Sequence, residues 1–324
     1  MLIHFILLFF VFHFYQEDVI FFQSNGLKEL ELIKQEAGFN ILDDSGQKIQ
    51  IVEYRDITGL VYWYRKVLTP VCLTGECMLI DIGIYWDCTG DFFGLEVYGE
   101  HLTKTDHSVF TSEDYQFLME VLKNDWSILR EYKLTNLIEE GEVTEVDGTS
   151  GATKVEIATE TVKNAVYTTY TLWHLVHLGE KEQLINLTAN LLKENKLSIQ
   201  SLTYNEDEEY LYFILSSLLE QKIKTTPVLD SLIVEGLTSN LRPKFKKLAY
   251  RSLSKIDLNE QVQKSLVPIY SVVSIQDKIQ ILSAFERPIK LEPELYTCFS
   301  KDLAIANDWF LVKLKMVLDR NRDF

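Results

Sequence analysis

Basic residues are scarce in this chain: 32 Lys and Arg stand against 48 Asp and Glu in 324 residues, a formal net charge of −16. A surface of that sign repels a phosphate backbone, which excludes nucleic acid as a partner class. Proline and glycine are also few, six and fourteen. This excludes collagenous and disordered chains and predicts long regular elements. With only four cysteines the chain is no disulfide scaffold, and no second close Cys/His pair accompanies Cys72 and Cys77 to make a zinc site. Neither a Gly-x-Ser-x-Gly elbow nor a Gly-rich strand–turn–helix occurs, so a serine hydrolase and a bound nicotinamide dinucleotide have no basis in the sequence.

What is present is apolar and aromatic. Hydrophobic residues make up 47% of the chain and include 18 Phe and 16 Tyr, enough for well-packed cores in the roughly two domains this length accommodates. The run Phe5–Phe12 has the length of a secretory signal core and is too short to span a bilayer. No Lys or Arg precedes it, no Ala-x-Ala follows it, and its continuation His13–Phe22 reads equally as a buried strand. Residues 1–22 are therefore assigned as a signal peptide or an N-terminal membrane anchor, with a first strand as the alternative. Export to the periplasm or cell surface is the expectation.

From residue 26 to about 100 the pattern is strand-like. Lys48–Tyr54, Leu60–Tyr64, Met78–Trp86 and Phe92–Tyr98 are the candidate strands, the last two forming a hairpin across Asp87-Cys-Thr-Gly-Asp91. Thr111 lies three residues ahead of Asp114 in a capping-box arrangement, and Tyr115, Leu118, Met119 and Leu122 share one face of the helix that follows. A polar stretch from Glu139 leads to a long amphipathic run, Lys154 to Leu178, closed by Gly179. Beyond residue 180 the pattern is helical, with similar units at Leu211–Leu219, Phe245–Leu253, Ile279–Phe285 and Trp309–Leu318. Their spacing of roughly 30 to 35 residues is that of helical-hairpin repeats, and an irregular bundle is the alternative.

One segment carries chemistry. Asp147-Gly-Thr-Ser150-Gly151-Ala152-Thr153 fits Asp-x-x-Ser/Thr-Gly-Ala-Thr, a pattern expected by chance in on the order of one in a thousand chains of this length. Small residues before Thr153 leave its hydroxyl open to a phosphate and to a modifying enzyme, and a helix beginning next to it would favour a phosphate dianion. Ser150 offers a hydroxyl donor, and Asp147 a turn or a recognition group. The bland reading is an Asp-Gly turn feeding a helix cap.

The segment resembles the flavinylation signature of the FMN-binding domain family found in ion-pumping quinone reductase subunits. The hairpin 78–98, Leu102-Thr-Lys-Thr-Asp-His107, Phe110–Tyr115 and Val166–His174 resemble a branch of exported proteins that join this domain to helical repeats. The resemblance covers about residues 50–178. It implies FMN bound covalently through a phosphoester to Thr153, a flavin transferase for maturation, and a redox partner protein. The chain departs from the family pattern after Thr153, where Lys154-Val155-Glu156 replaces the usual Thr and Ser.

The fold class is therefore α+β: an FMN-binding-like domain over residues 23–179, an antiparallel sheet with flanking helices, followed by a HEAT-like all-α solenoid over 180–324. Lys104 and His107, in a loop between hairpin and helix, are candidate flavin contacts. Cys72 and Cys77 are a disulfide candidate once the chain is in an oxidising compartment. Tyr167, Tyr170 and Trp173 read as a core stripe, and His174 and His177 lack a third metal ligand. Two functions follow from different classes: a covalent FMN electron carrier docked by its helical repeats, or a flavin-free scaffold whose solenoid engages a protein. No catalytic acid–base pair stands beside the motif.

Overall fold

Short apolar and aromatic runs between 20 and 98 build a sheet in the computed structural model, which describes residues 19–43, 46–72, 75, 77–138, 153–177, 180–204, 207–239 and 242–321. The strands are β1 Ile20–Gln23, β2 Ile33–Leu42, β3 Lys48–Arg55, β4 Val61–Thr69, β5 Ile80–Trp86 and β6 Phe92–Tyr98. They form one antiparallel sheet in the order β1-β6-β5-β4-β3-β2. The expected hairpin is β5–β6. Its loop closes with the Asp87 N–H donating to Asp91 at 2.9 Å and the Gly90 N–H to Asp87 at 3.0 Å, Gly90 taking φ +80°. The segment read as a signal continuation or buried strand contributes β1, an edge strand pairing with β6. Ile20 and Phe21 are exposed there, so the described part of that segment is a strand but not a buried one.

The helices are α1 Asn25–Lys28, α2 Ser112–Lys123, α3 Val155–Ala158, α4 Val166–His177, α5 Glu180–Lys193, α6 Ile199–Thr203, α7 Glu208–Leu219, α8 Pro227–Gly236, α9 Pro243–Ser252, α10 Glu260–Val272, α11 Ile275–Ala284, α12 Pro293–Asp302 and α13 Asp308–Arg320. The class is α+β, a sheet followed by helices. None of the described helices is long and apolar enough to cross a membrane.

By contacts the chain separates into two compact units. Among the described residues, one comprises 19–29 with 65–85 and 92–176; the other comprises 30–64, 86–91 and 177–321. In the first, α2 starts where its sequence says. The Thr111 hydroxyl accepts the Asp114 N–H, and the Asp114 carboxyl accepts the Thr111 N–H at 2.8 Å, so two of the donors a helix start leaves orphaned are satisfied. Leu118 and Leu122 are fully buried, and the Tyr115 ring stacks on Phe22 at 3.9 Å while its oxygen accepts the Leu102 N–H.

The long helix expected from Lys154 to Leu178 is broken. It survives as the one turn of α3 and as α4, separated by Thr159–Ala165. Hydroxyls there compete with the helix ladder: Thr161 Oγ1 donates to the Ile157 carbonyl, Thr169 Oγ1 accepts the Val162 N–H, and Asn164 sits at φ +60°, a left-handed conformation that no helix interior accommodates.

In the second unit Trp63 is wholly buried, donating its Nε1–H to Thr188 Oγ1 at 3.0 Å and meeting Phe39 edge-on at 5.4 Å. The four helical units expected beyond residue 180 are α7, α9, α11 and α13. Between them lie α8, α10 and α12, which start at the Thr226 cap with Pro227, at the Asn259 cap, and at Pro293. Packing runs to the next helix but one as well as to the next: α7 meets α9, α8 meets α10, α9 meets α11, α10 meets α12 and α11 meets α13. Tyr270, Phe285 and Phe299 join α10, the end of α11 and α12, with ring centroids 4.7 and 5.6 Å apart.

Candidate functional site

The first unit holds a cleft of about 620 Å³ in which three separated segments meet. These are the neighbourhood of Cys72 and Cys77, the loop after β6 that carries Lys104 and His107, and the beginning of α4 with Tyr167 and Thr168. The loop is a small hairpin of its own. Thr103 bridges Val109, the Lys104 N–H donates to Ser108 at 2.8 Å, and His107 takes φ +61°. Asp106 Oδ1 accepts both the N–H and the hydroxyl of Ser108, and those bonds hold its carboxyl below the ordinary range. Thr105 ties the loop to the turn before α4, donating its N–H and its hydroxyl to the Asn164 carbonyl at 2.7 and 2.9 Å.

The two loop candidates differ in freedom. Lys104 forms an ion pair with Asp114 at 2.7 Å, both side chains being mostly buried. Burial pushes the Asp114 carboxyl up, and the bonds from Lys104 and Thr111 outweigh it and hold it below its usual range. His107 is exposed beside the cleft. Tyr167, expected in the core, lines the cleft instead; burial raises its phenol. Trp173 is in the core as expected, donating its Nε1–H to the Asn124 carbonyl at 3.0 Å. Half-buried Tyr170 donates its hydroxyl to the Tyr132 carbonyl, and His174 contacts the Leu129 carbonyl at 3.3 Å. No group of three metal-ligating side chains occurs among the described residues.

Behind the Tyr98 wall lies a residue that the sequence reading passes over. Glu96 is 5% exposed, and its carboxyl accepts Gln23 Nε2–H at 2.8 Å, the Tyr85 hydroxyl at 3.0 Å and the Tyr98 hydroxyl. Lys66 lies over the Tyr98 ring at 4.8 Å and pairs with Asp81 at 3.5 Å. The signal was a lone acid inside the apolar strand Phe92–Tyr98, two residues from a tyrosine and so on its face.

Of the motif, Asp147, Ser150, Gly151 and Ala152 lie outside the described residues. Thr153 is half-buried and bridges Ile138; the Lys154 N–H donates to the Leu137 carbonyl at 3.2 Å, and its ammonium lies 5.6 Å from the Tyr132 ring. The helix beginning beside it is the four-residue α3, too short to supply the dipole expected there. Thr153 does not line the cleft.

Cys72 and Cys77 are paired with Cα atoms 5.9 Å apart, a normal disulfide separation. Cys88 and Cys298 are unbridged, Cys88 fully buried. Cys88 belongs to a second polar cluster, in the other unit. There Asp87 Oδ1 accepts the N–H groups of Thr89 and Asp91 and the Thr89 hydroxyl. Burial pushes the Asp87 carboxyl up to about 6 against those bonds, and the same burial raises the Cys88 thiol and the Tyr62 and Tyr210 phenols. Its bonds close the turn, so this cluster is a folding element.

No protein-family model matches the chain, and no curated protein or solved structure does.

Proposed function

We propose that the protein is an exported electron carrier with FMN esterified to Thr153, and that the helices beyond residue 180 are a HEAT-like docking module. The observation that carries the reading is the Asp147–Thr153 signature, together with the meeting of the Leu102–His107 loop and the start of α4 in one cleft. The residues present fit the group. A cleft of about 620 Å³ is in the range of cofactor sites, with tyrosines 98 and 167 offering flat apolar walls and Thr103 and Thr105 polar groups. A ribityl chain separates the phosphate of FMN from its ring, so the attachment residue need not line the cleft that takes the ring.

When bound, FMN supplies one- and two-electron transfer, and the protein supplies position and surroundings. Lys154, beside Thr153, would bring positive charge to the cofactor, and His107, exposed at the cleft, would offer a ring nitrogen as a hydrogen-bond partner; Lys104 is engaged by Asp114. Glu96 holds Tyr98 in place from behind. The next-but-one packing of α7 to α13 supports the repeat reading, because stacked helical hairpins make those contacts. The test is reduction of the transferase-treated protein by dithionite and by NADH. Chemical reduction with negligible NADH oxidation is the expected result; saturable turnover with NADH and an organic substrate would replace the carrier with an enzyme.

The second reading, a flavin-free scaffold, draws on one observation. The last helix exposes Trp309 at 81%, Val312 at 59% and Met316 at 40%, spaced along one face. It predicts that Thr153→Ala leaves partner binding and cellular function intact while Trp309→Asp abolishes both.

A further inference from the structure

We propose that Cys72 and Cys77 form a redox-active pair that is reduced by a protein dithiol docking at the cleft mouth. Three features point there. Both cysteines line the cleft and both are half-exposed, unlike the buried Cys88. Each sulfur also accepts a backbone hydrogen bond: Cys72 Sγ from the Cys77 N–H at 3.1 Å, and Cys77 Sγ from the Val71 N–H at 3.3 Å. Such donors cost little in the bridged state and favour a thiolate once the bridge opens, which makes each sulfur a better leaving group. Finally, the residues that follow Cys77 are large, apolar and open to solvent, Met78 at 59% and Leu79 at 49%, and both belong to the cleft wall. An apolar rim next to a reachable disulfide fits a protein surface better than a small charged thiol.

The exchange balances. A partner thiolate attacks Cys77 Sγ, the Cys72–Cys77 bond breaks, and its electron pair leaves on Cys72 Sγ, where the Cys77 N–H stabilises it. The partner's second thiolate then attacks its own sulfur in the mixed disulfide and releases Cys77 as thiolate. Cys72 and Cys77 each take up a proton, and the partner's two thiols have lost theirs. Two electrons and two protons pass from the partner dithiol, which ends as a disulfide.

Flavin attachment is not required for this step, so it is tested on full-length protein made without a transferase. In native buffer with dithiothreitol, acid quenching, denaturation and alkylation should label four cysteines instead of two. The rate should lie within about tenfold of that in urea, since the bridge is reachable when folded. Reduction only after denaturation would overturn the proposal. A thioredoxin-type protein whose resolving cysteine is replaced by serine should be trapped as a mixed disulfide on Cys77, and no adduct should form on Cys72→Ser, which has no bridge to open. Met78→Asp should lower that trapping about tenfold while leaving dithiothreitol reduction unchanged. Absence of a mixed disulfide, trapping by glutathione alone, or indifference to Met78→Asp would refute a docked protein dithiol.

Discussion

Replacing Glu96 by Ala removes a carboxyl that accepts from three donors in the wall behind the cleft. Gln23 Nε2–H, the Tyr85 hydroxyl and the Tyr98 hydroxyl all point at it, and Tyr85 and Tyr98 are 5% and 9% exposed, so water does not readily take its place. A buried donor left without an acceptor costs roughly 1–3 kcal/mol. The three share one acceptor group and can partly re-pair with each other, so their costs do not simply add. The expected loss is about 3–5 kcal/mol for Glu96→Ala, and about half of that for Glu96→Gln, which keeps one acceptor oxygen but turns an amide N–H₂ toward the remaining donor. Urea unfolding followed by far-UV circular dichroism measures it, with an unchanged m-value as the check that only stability moved. Near-UV dichroism should report looser tyrosines in Glu96→Ala. A loss below about 0.5 kcal/mol, the usual range of surface substitutions, would refute the view of Glu96 as the anchor of that wall.

Gly90→Ala should destabilise by about 2–3 kcal/mol, because φ +80° penalises any Cβ and the added carbon would meet the Lys181 carbonyl oxygen at 2.9 Å; an unchanged urea midpoint would contradict this. Asp87 ionises near pH 6 in the folded chain and near 3.8 when unfolded, so its stabilising contribution is complete below about pH 4 and is lost as pH rises through about 6. The stability of wild type relative to Asp87→Asn should fall by ~3 kcal/mol between those limits, and a pH-independent difference would refute it. Thiol counting on the non-reduced, denatured protein should find two free thiols, Cys88 and Cys298; four would reject the Cys72–Cys77 bridge.

Elements with local signals were the legible ones. The turn Asp87–Asp91 between two apolar strands, the Thr111–Asp114 box, and the apolar runs of α7, α9, α11 and α13 each carry their structure in neighbouring residues. The helices between them do not announce themselves in the same way. Pro268 sits inside α10, and α12 buries little beyond Leu295 and Phe299 on its apolar face, so their periodicity is weak and tertiary packing determines them. The break at Thr159–Ala165 was hidden for a related reason: hydroxyl competition and a left-handed Asn164 depend on partners, not on hydrophobic spacing. At the cleft, the loop carrying Lys104 and His107 was visible as a polar cluster, whereas the engagement of Lys104 by Asp114 and the turning of Tyr167 toward the cleft were not. Tyr167, Tyr170 and Trp173 share one stripe of α4, and helical spacing alone does not tell which of them meets the core and which the cleft.

Thr153 decides the central claim, and intact mass reads it directly. The full chain co-expressed and exported with a flavin transferase should gain one FMN less one water, the increment should map to the peptide containing Thr153, and Thr153→Ala should return to the unmodified mass. A wild-type chain that stays unmodified beside a transferase shown to be active on another substrate would contradict the account.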